Sequence, residues 1–420
     1  MAEQVIPSEL NLFSPPSMSA PYQKVQYIEY RSASPLNDGG PIQFIIPPAS
    51  NQFVDIRRTL LHVEAKITKK DGTATAEAEH VWPINLPLHS FFSHVEVELQ
   101  HQLVTSNQMY GYKAMIETLL GYNKEAQESF LRSQGFEKEN TATIGDVANV
   151  RANTGFFARY ATFGQSQLVD LEGPLMADIC QQERCIINGV EINIRLWAAK
   201  DPFALLTNID DATHTVQLKE VYLKVCKVYP QSSVAFGVAE TLKEEPAIYP
   251  FIRTEMRAFQ IQQGQYNFHL EDMYQQLVPS EVIVCMVNAK AFHGSYKENP
   301  YAFMPFGIGE LSLYVDDESV SGKPLKMDFP KRNYVEAYNL LFDNPPDGSG
   351  PAITRDDFNK GYTIFRFRVT PEQVESLPNA RGNVKLSGTF KTALPQNITL
   401  IVVGKFHHLL TIDNARNIKI

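Results

Sequence analysis

His94-Val-Glu-Val-Glu-Leu-Gln100, running on to Val104, sets apolar Val95, Val97 and Leu99 against polar Glu96 and Glu98. That two-residue period marks a strand with one buried face. A polar turn follows, then Tyr112-Lys-Ala-Met-Ile-Glu-Thr-Leu-Leu-Gly-Tyr122, which reads as helix. The same order returns downstream: Glu310-Leu-Ser-Leu-Tyr-Val315, a polar turn to Val320, then Asn333-Tyr-Val-Glu-Ala-Tyr-Asn-Leu-Leu-Phe342. The strand cores are offset by 216 positions (311 − 95) and the Leu-Leu pairs by 221 (340 − 119). Both offsets are about half of the 420 residues. Two similar β units in tandem are therefore expected, an arrangement that suits building material better than catalysis.

Outward from this run, strand signals dominate. Val25-Gln-Tyr-Ile-Glu-Tyr30, Ile42-Gln-Phe-Ile-Ile46 and Leu61-His-Val-Glu-Ala-Lys-Ile67 precede it; Leu168-Val-Asp-Leu171, 186–196 and 216–228 follow. The second half repeats the style with Arg257-Ala-Phe-Gln-Ile261, Glu281-Val-Ile-Val-Cys-Met-Val287, Tyr362-Thr-Ile-Phe-Arg-Phe-Arg-Val369, 383–389 and 398–412. Each half closes on a long strand pair. Helices are expected only at 111–132 and near 331–342. Strand-helix alternation is absent, which argues against a parallel α/β sheet. The expected class is all-β: two tandem eight-stranded jelly-roll sandwiches with short helices in inter-strand loops.

The division read from the pattern is an arm at 1–23, a first roll at 24–230, a connector at 231–250 and a second roll at 251–420. The arm holds Pro7, Pro15, Pro16 and Pro21 beside apolar Leu10, Leu12 and Phe13. It reads either as a frayed terminus or as a segment that docks on a neighbour. Stretches 136–165 and 343–357, polar and turn-rich, are expected as exposed, insertion-tolerant loops.

Composition narrows function by exclusion. A net charge of −9 argues against a chain whose body coats nucleic acid, which needs clustered cations. No run of about 18 apolar residues suggests a membrane span. Cys180, Cys185, Cys226 and Cys285 form no Cys-x-x-Cys and follow no secretory signal, so buried reduced thiols are expected. No His-x-His pair supports a cupin-type metal centre. His94, Glu96 and Glu98 share one strand face and could gather a cation, although a solvent-facing polar stripe explains them better. Asp316-Asp317 and Asp356-Asp357 read as turn and cap residues rather than a catalytic dyad. Asn397-Ile-Thr399 matches a glycosylation acceptor expected to go unused. Neither a P-loop nor a nucleophile elbow is present. No catalytic, cofactor or metal residue is assigned.

Val287-Asn-Ala-Lys-Ala-Phe-His-Gly-Ser-Tyr-Lys-Glu-Asn-Pro-Tyr301 resembles a segment of the hexon-like major capsid proteins of adintoviruses and Maverick/Polinton elements. In the family's order come Leu313-Tyr-Val-Asp316, Lys323-Pro-Leu325 and the helix at 334–342. The amino end agrees through Leu10-Asn-Leu-Phe-Ser14, Tyr27-Ile-Glu-Tyr-Arg31, Pro41-Ile-Gln-Phe-Ile-Ile-Pro47 and Leu88-His-Ser-Phe-Phe-Ser93; the carboxyl end agrees through Ala393-Leu-Pro395 and Leu410-Thr-Ile-Asp413. His407-His408 and the 136–165 region depart from the pattern, and adomavirus capsid proteins are a neighbouring type. The resemblance implies a double jelly-roll subunit of an icosahedral virion. Three copies would form a pseudo-hexagonal tower that meets neighbouring capsomers and penton or minor capsid proteins, without catalysis or cofactor. Synthesis in host cytoplasm, with assembly there or in the nucleus, goes with that reading. Aromatic stretches Phe156-Phe-Ala-Arg-Tyr160 and 296–306 are candidates for subunit contacts, with core packing as the competing explanation. A jelly-roll binding module, receptor- or carbohydrate-directed, is the alternative; it would need an exposed aromatic platform with polar neighbours. A metal-dependent jelly-roll enzyme is the third reading.

Overall fold

A computed structural model describes residues 21–210, 213–342, 350–369 and 380–420. The arm's apolar residues Leu10, Leu12 and Phe13, and half of the expected 343–357 loop, lie outside the described residues.

The first half supplies strands β1 (Tyr22–Arg31), β2 (Ile42–Ile46), β3 (Phe53–Lys69), β4 (Val81–Pro83), β5 (Phe92–Leu99), β6 (Gln102–Gln108), β7 (Val169–Pro174), β8 (Ile192–Ala198), β9 (Leu205–Thr207) and β10 (His214–Pro230). The second supplies β11 (Ala247–Ile261), β12 (Asn267–Leu270), β13 (Glu281–Asn288), β14 (Ile308–Val315), β15 (Glu318–Ser319), β16 (Leu325–Lys326), β17 (Ile364–Arg368), β18 (Val384–Phe390), β19 (Ile398–Ile412) and β20 (Ile418–Lys419). Helices α1 (Pro87–Ser90), α2 (Tyr110–Gly121), α3 (Lys124–Glu128), α4 (Thr154–Phe163), α5 (Asp201–Ala204), α6 (Ser232–Thr241), α7 (Ala289–His293), α8 (Val335–Asn339) and α9 (Arg355–Lys360) fill connections.

Strand order carries the architecture. The first half forms antiparallel sheets β1-β10-β3-β7 and β2-β8-β5-β6; the second forms β11-β19-β13-β17 and β12-β18-β14-β15. Exchanging each strand for its counterpart turns one pair of sheets into the other. β5 and β14 begin 216 positions apart (308 − 92), the offset of the quoted runs. Within each roll the two sheets bury their alternate residues against each other. Val95, Val97 and Leu99 on β5 and Leu61, Val63 and Leu223 of the other sheet are buried in the first roll, as are Leu311 and Leu313 on β14 and Val284, Val402 and Phe406 in the second. The expected pair of eight-stranded rolls is present.

Several local expectations need correction. The helix expected over 111–132 stops at Gly121, because Tyr122 is extended and the Asn123 side chain accepts the Ala126 N–H to start α3 afresh. The helix near 331–342 shrinks to five residues, preceded by Arg332 at φ +57° and by Asn333 bridged to Asp328. The strand expected from Ile186 becomes regular only at Ile192; Ile186 bridges to Val54 instead. The 136–165 stretch is no exposed loop: it holds α4 and buries Phe136, Ile144, Val150, Phe156 and Phe163. Its Asn and Thr density misled, since Asn140, Asn149 and Asn153 act as caps of short helices. The polar 231–250 stretch contains α6 and the start of β11.

Other readings hold. Asp316 and Asp317 make the positive-φ turn between β14 and β15. Asp357 closes a capping box with Thr354 at the start of α9. All four cysteines are free thiols; Cys180, Cys226 and Cys285 are buried and Cys185 is half-buried. Burial pushes the Cys180 thiol up to about 12. No described helix is long and apolar enough to cross a membrane.

Candidate functional site

The densest chemistry lies where the two rolls meet. Tyr112, on the buried face of α2, stacks on Phe292 of the second roll with ring centroids 5.7 Å apart. It meets Tyr301 edge-on at 5.7 Å and Phe203 at 5.5 Å. Each such aromatic pair contributes about 0.5–1.5 kcal/mol beyond area burial. Tyr301 and Phe303 belong to the stretch at 296–306, read as subunit contact or as core packing; both are fully buried. In the other candidate stretch, Phe156 and Arg159 are buried, Ala158 and Tyr160 are half-buried, and Phe157 is exposed.

Two buried polar clusters flank the aromatic one. Glu139 pairs with Arg159 of α4 and accepts an Asn299 side-chain N–H of the second roll at 3.2 Å. Asn299 also donates to the Ile144 carbonyl at 3.1 Å, and Arg159 donates to the Pro83 carbonyl at 2.9 Å. Burial pushes the Glu139 carboxyl up, opposed by the Arg159 charge. In the second cluster Lys113 meets Glu117 at 2.9 Å and Asp178 at 3.3 Å, and donates to the Met176 carbonyl at 2.7 Å. Burial alone would lower the Lys113 ammonium, yet Glu117 and Asp178 hold it above its usual value.

Further bonds tie the first strand and the tail of the second roll to residues 178–188 of the first. Asp178 accepts the Thr254 N–H of β11 at 2.9 Å. The Tyr249 hydroxyl accepts the Ile187 N–H at 3.1 Å and donates to the Cys185 carbonyl at 3.3 Å. Arg184 donates to the Ile248 carbonyl at 2.7 Å, and Arg416 to the Asn188 carbonyl at 2.7 Å. The rolls are welded by apolar, ionic and backbone contacts at once, which leaves little freedom between them.

The polar stripe on β5 is already satisfied. Arg195 on β8 bridges Glu96, at 3.3 Å, and Glu98. His94 stacks on Trp197 at 4.6 Å and bonds to the Ser106 hydroxyl at 2.9 Å. The carboxylates that could have met a cation meet a guanidinium instead. Among the described residues no group of three His, Cys, Asp or Glu is placed to hold a metal. A groove of about 470 Å³ opens between the rolls, lined by Arg57, Glu117, Tyr122, Arg366 and Lys405. Its cations are engaged: Arg366 meets Glu281 at 2.6 Å, Lys405 meets it at 3.6 Å, and Arg57 meets Glu183 at 3.0 Å.

What the sequence reading missed is an apolar surface. No residue of α6 is buried, and its Phe236 is 67% exposed, with Val234 beside it. Tyr22 and Tyr27 of β1 are also exposed. The sign was present in Val234-Ala-Phe-Gly-Val238, an apolar run inside a stretch taken as polar connector.

No family model matches the sequence. An uncharacterized protein of Caenorhabditis elegans is 24% identical over 403 residues, covering 90% of this chain and 92% of that protein. Among solved structures, the chain is similar to a chain of the Sputnik virophage (TM-score 0.63, 12% identity, 100% of this chain and 92% of that one). It is similar to the mavirus major capsid protein (0.58, 14% identity, 99% and 93%) and to a chain of the PBCV-1 virus capsid (0.59, 10% identity, 94% and 96%). These matches run the length of both partners, so the likeness is to the whole tandem and not to one roll. The chain has the double jelly-roll fold.

Proposed function

We propose that the chain is a major capsid protein, a structural subunit whose outer walls rather than any pocket do its work. One observation carries the reading: two rolls of identical strand order are welded into a single body by buried contacts at their junction. Such a body presents two like faces at a fixed angle. Three copies joined head to tail would present six, close to sixfold symmetry, and head-to-tail contacts of this kind close into rings. The structural neighbours, among them the mavirus major capsid protein, support the same role. On this reading residues 24–230 and 251–420 are the two rolls, 231–250 joins them, and 1–23 is an assembly arm. The subunit sits in a virion, meets neighbouring capsomers and penton or minor capsid proteins, and performs no chemistry. The segment around Phe292 and Tyr301 favours the adintovirus or Maverick/Polinton type.

The test is direct. Purified chain is examined by size-exclusion chromatography with light scattering, then by electron microscopy. A trimer at micromolar concentration that forms towers or shells is expected. A strict monomer at every concentration would count against the role.

A further inference from the structure

The second roll is held by a repeated device. Residues 178–188, between β7 and β8, cover two parts of it: the outer edge of β11, through Thr254, Tyr249 and Ile248, and the tail beyond β19, through Arg416. An uncovered strand edge is a template for pairing with another chain, so this cover has a clear physical role.

The first roll has counterparts of both covered parts. β1 corresponds to β11, and α6 follows β10 as the tail follows β19. Among the described residues β1 has no strand partner on its outer edge, and α6 rests on the core only through half-buried Val238, with Val234 and Phe236 left exposed. The two form one patch, because the Gln231 N–H just before α6 donates to the Pro21 carbonyl just before β1 at 3.1 Å. A helix presenting Val234 and Phe236 to water is a recognition surface or an aggregation hazard.

We propose that this patch, the open edge of β1 together with α6, seats the second roll of another copy of this chain. The contact would repeat between copies what residues 178–188 do for β11 and the tail within one copy. The inference rests on the trimer reading above. A second copy is favoured over the chain's own residues 1–20 because the contact to be repeated already exists inside the molecule.

The test compares full-length wild type with Phe236→Asp, Phe236→Ser and Phe13→Asp by light scattering at micromolar concentration, with thermal melts alongside. Phe236 makes no core contact, so its variants are expected to keep the fold, and the uncharged serine keeps the test readable if aspartate disturbs α6. A threefold fall in mass for both Phe236 variants, with Phe13→Asp still trimeric, supports the proposal. Trimeric Phe236 variants overturn the surface while leaving the trimer standing. Dissociation of Phe13→Asp together with the Phe236 variants overturns it in favour of the arm as occupant. A wild type that is itself monomeric sinks the trimer reading, and this assignment with it.

Discussion

The Asp178 carboxylate accepts the Thr254 N–H at 2.9 Å, so a side chain of the first roll caps the open edge of the second roll's leading strand. The same oxygen accepts the Asn107 amide at 2.9 Å, and the other lies 3.3 Å from the Lys113 ammonium. One residue thus helps hold the rolls together and shares with Glu117 the neutralisation of buried Lys113.

Asp178→Ala is expected to lower the unfolding free energy by about 1–3 kcal/mol, because it leaves the Thr254 N–H without its acceptor and the buried Lys113 with Glu117 as its one remaining carboxylate. Asp178→Asn keeps an acceptor and should cost less. Urea titrations of the two variants measure the difference; equal, small losses would show that the cap is dispensable.

Acid should loosen the first roll through His89. Its ring is fully buried, bonded to the Tyr110 hydroxyl at 2.8 Å and the Gln134 side chain at 3.0 Å. Burial lowers its pKa to about 4 from the usual 6.5, with the Lys113 charge adding to the effect. The folded state therefore resists a proton that the unfolded chain accepts. This contribution is whole above pH 6.5 and is lost as pH falls toward 4, amounting to roughly 3 kcal/mol. Stability measured at pH 7 and pH 4.5 should fall more for wild type than for His89→Gln. Parallel losses would rule His89 out as a contributor.

Two glycines should respond in opposite directions. At Gly404 on β19 an added Cβ would lie 2.7 Å from the buried Tyr274 ring, so Gly404→Ala should destabilise by about 1–3 kcal/mol. At Gly237, inside α6, an added Cβ meets nothing within 4 Å, and Gly237→Ala should stabilise the helix by about 0.5–1 kcal/mol. Thermal melts of the two variants read both signs. A stabilising Gly404→Ala would mean that the ring yields freely.

The strand pattern was legible because the rolls bury one face of each strand, which writes a period of two into runs such as 94–99. The tandem was legible because β5 and β14 kept both length and spacing. The weld was not. Tyr112, Glu139, Asn299 and Tyr301 carry no local pattern, since their partners lie far along the chain, and a buried Glu reads like an exposed one until Arg159 is placed beside it. The 136–165 stretch failed for a related reason: short capped helices use the same Asn and Thr that loops use. The carboxylates of the His94 stripe pair with Arg195 of the neighbouring strand, a partner that could not be named from the stripe itself. Exposed α6 was hidden because the Glu244-Glu245 pair and two prolines made 231–250 read as a connector.

The rigidity of the junction has a mechanical consequence. With Tyr112, Glu139 and Asp178 locked between them, the rolls cannot flex about a hinge. Any shell made of such blocks must then take up its bending at the seams between blocks, where softness, and with it the radius of the particle, would be set.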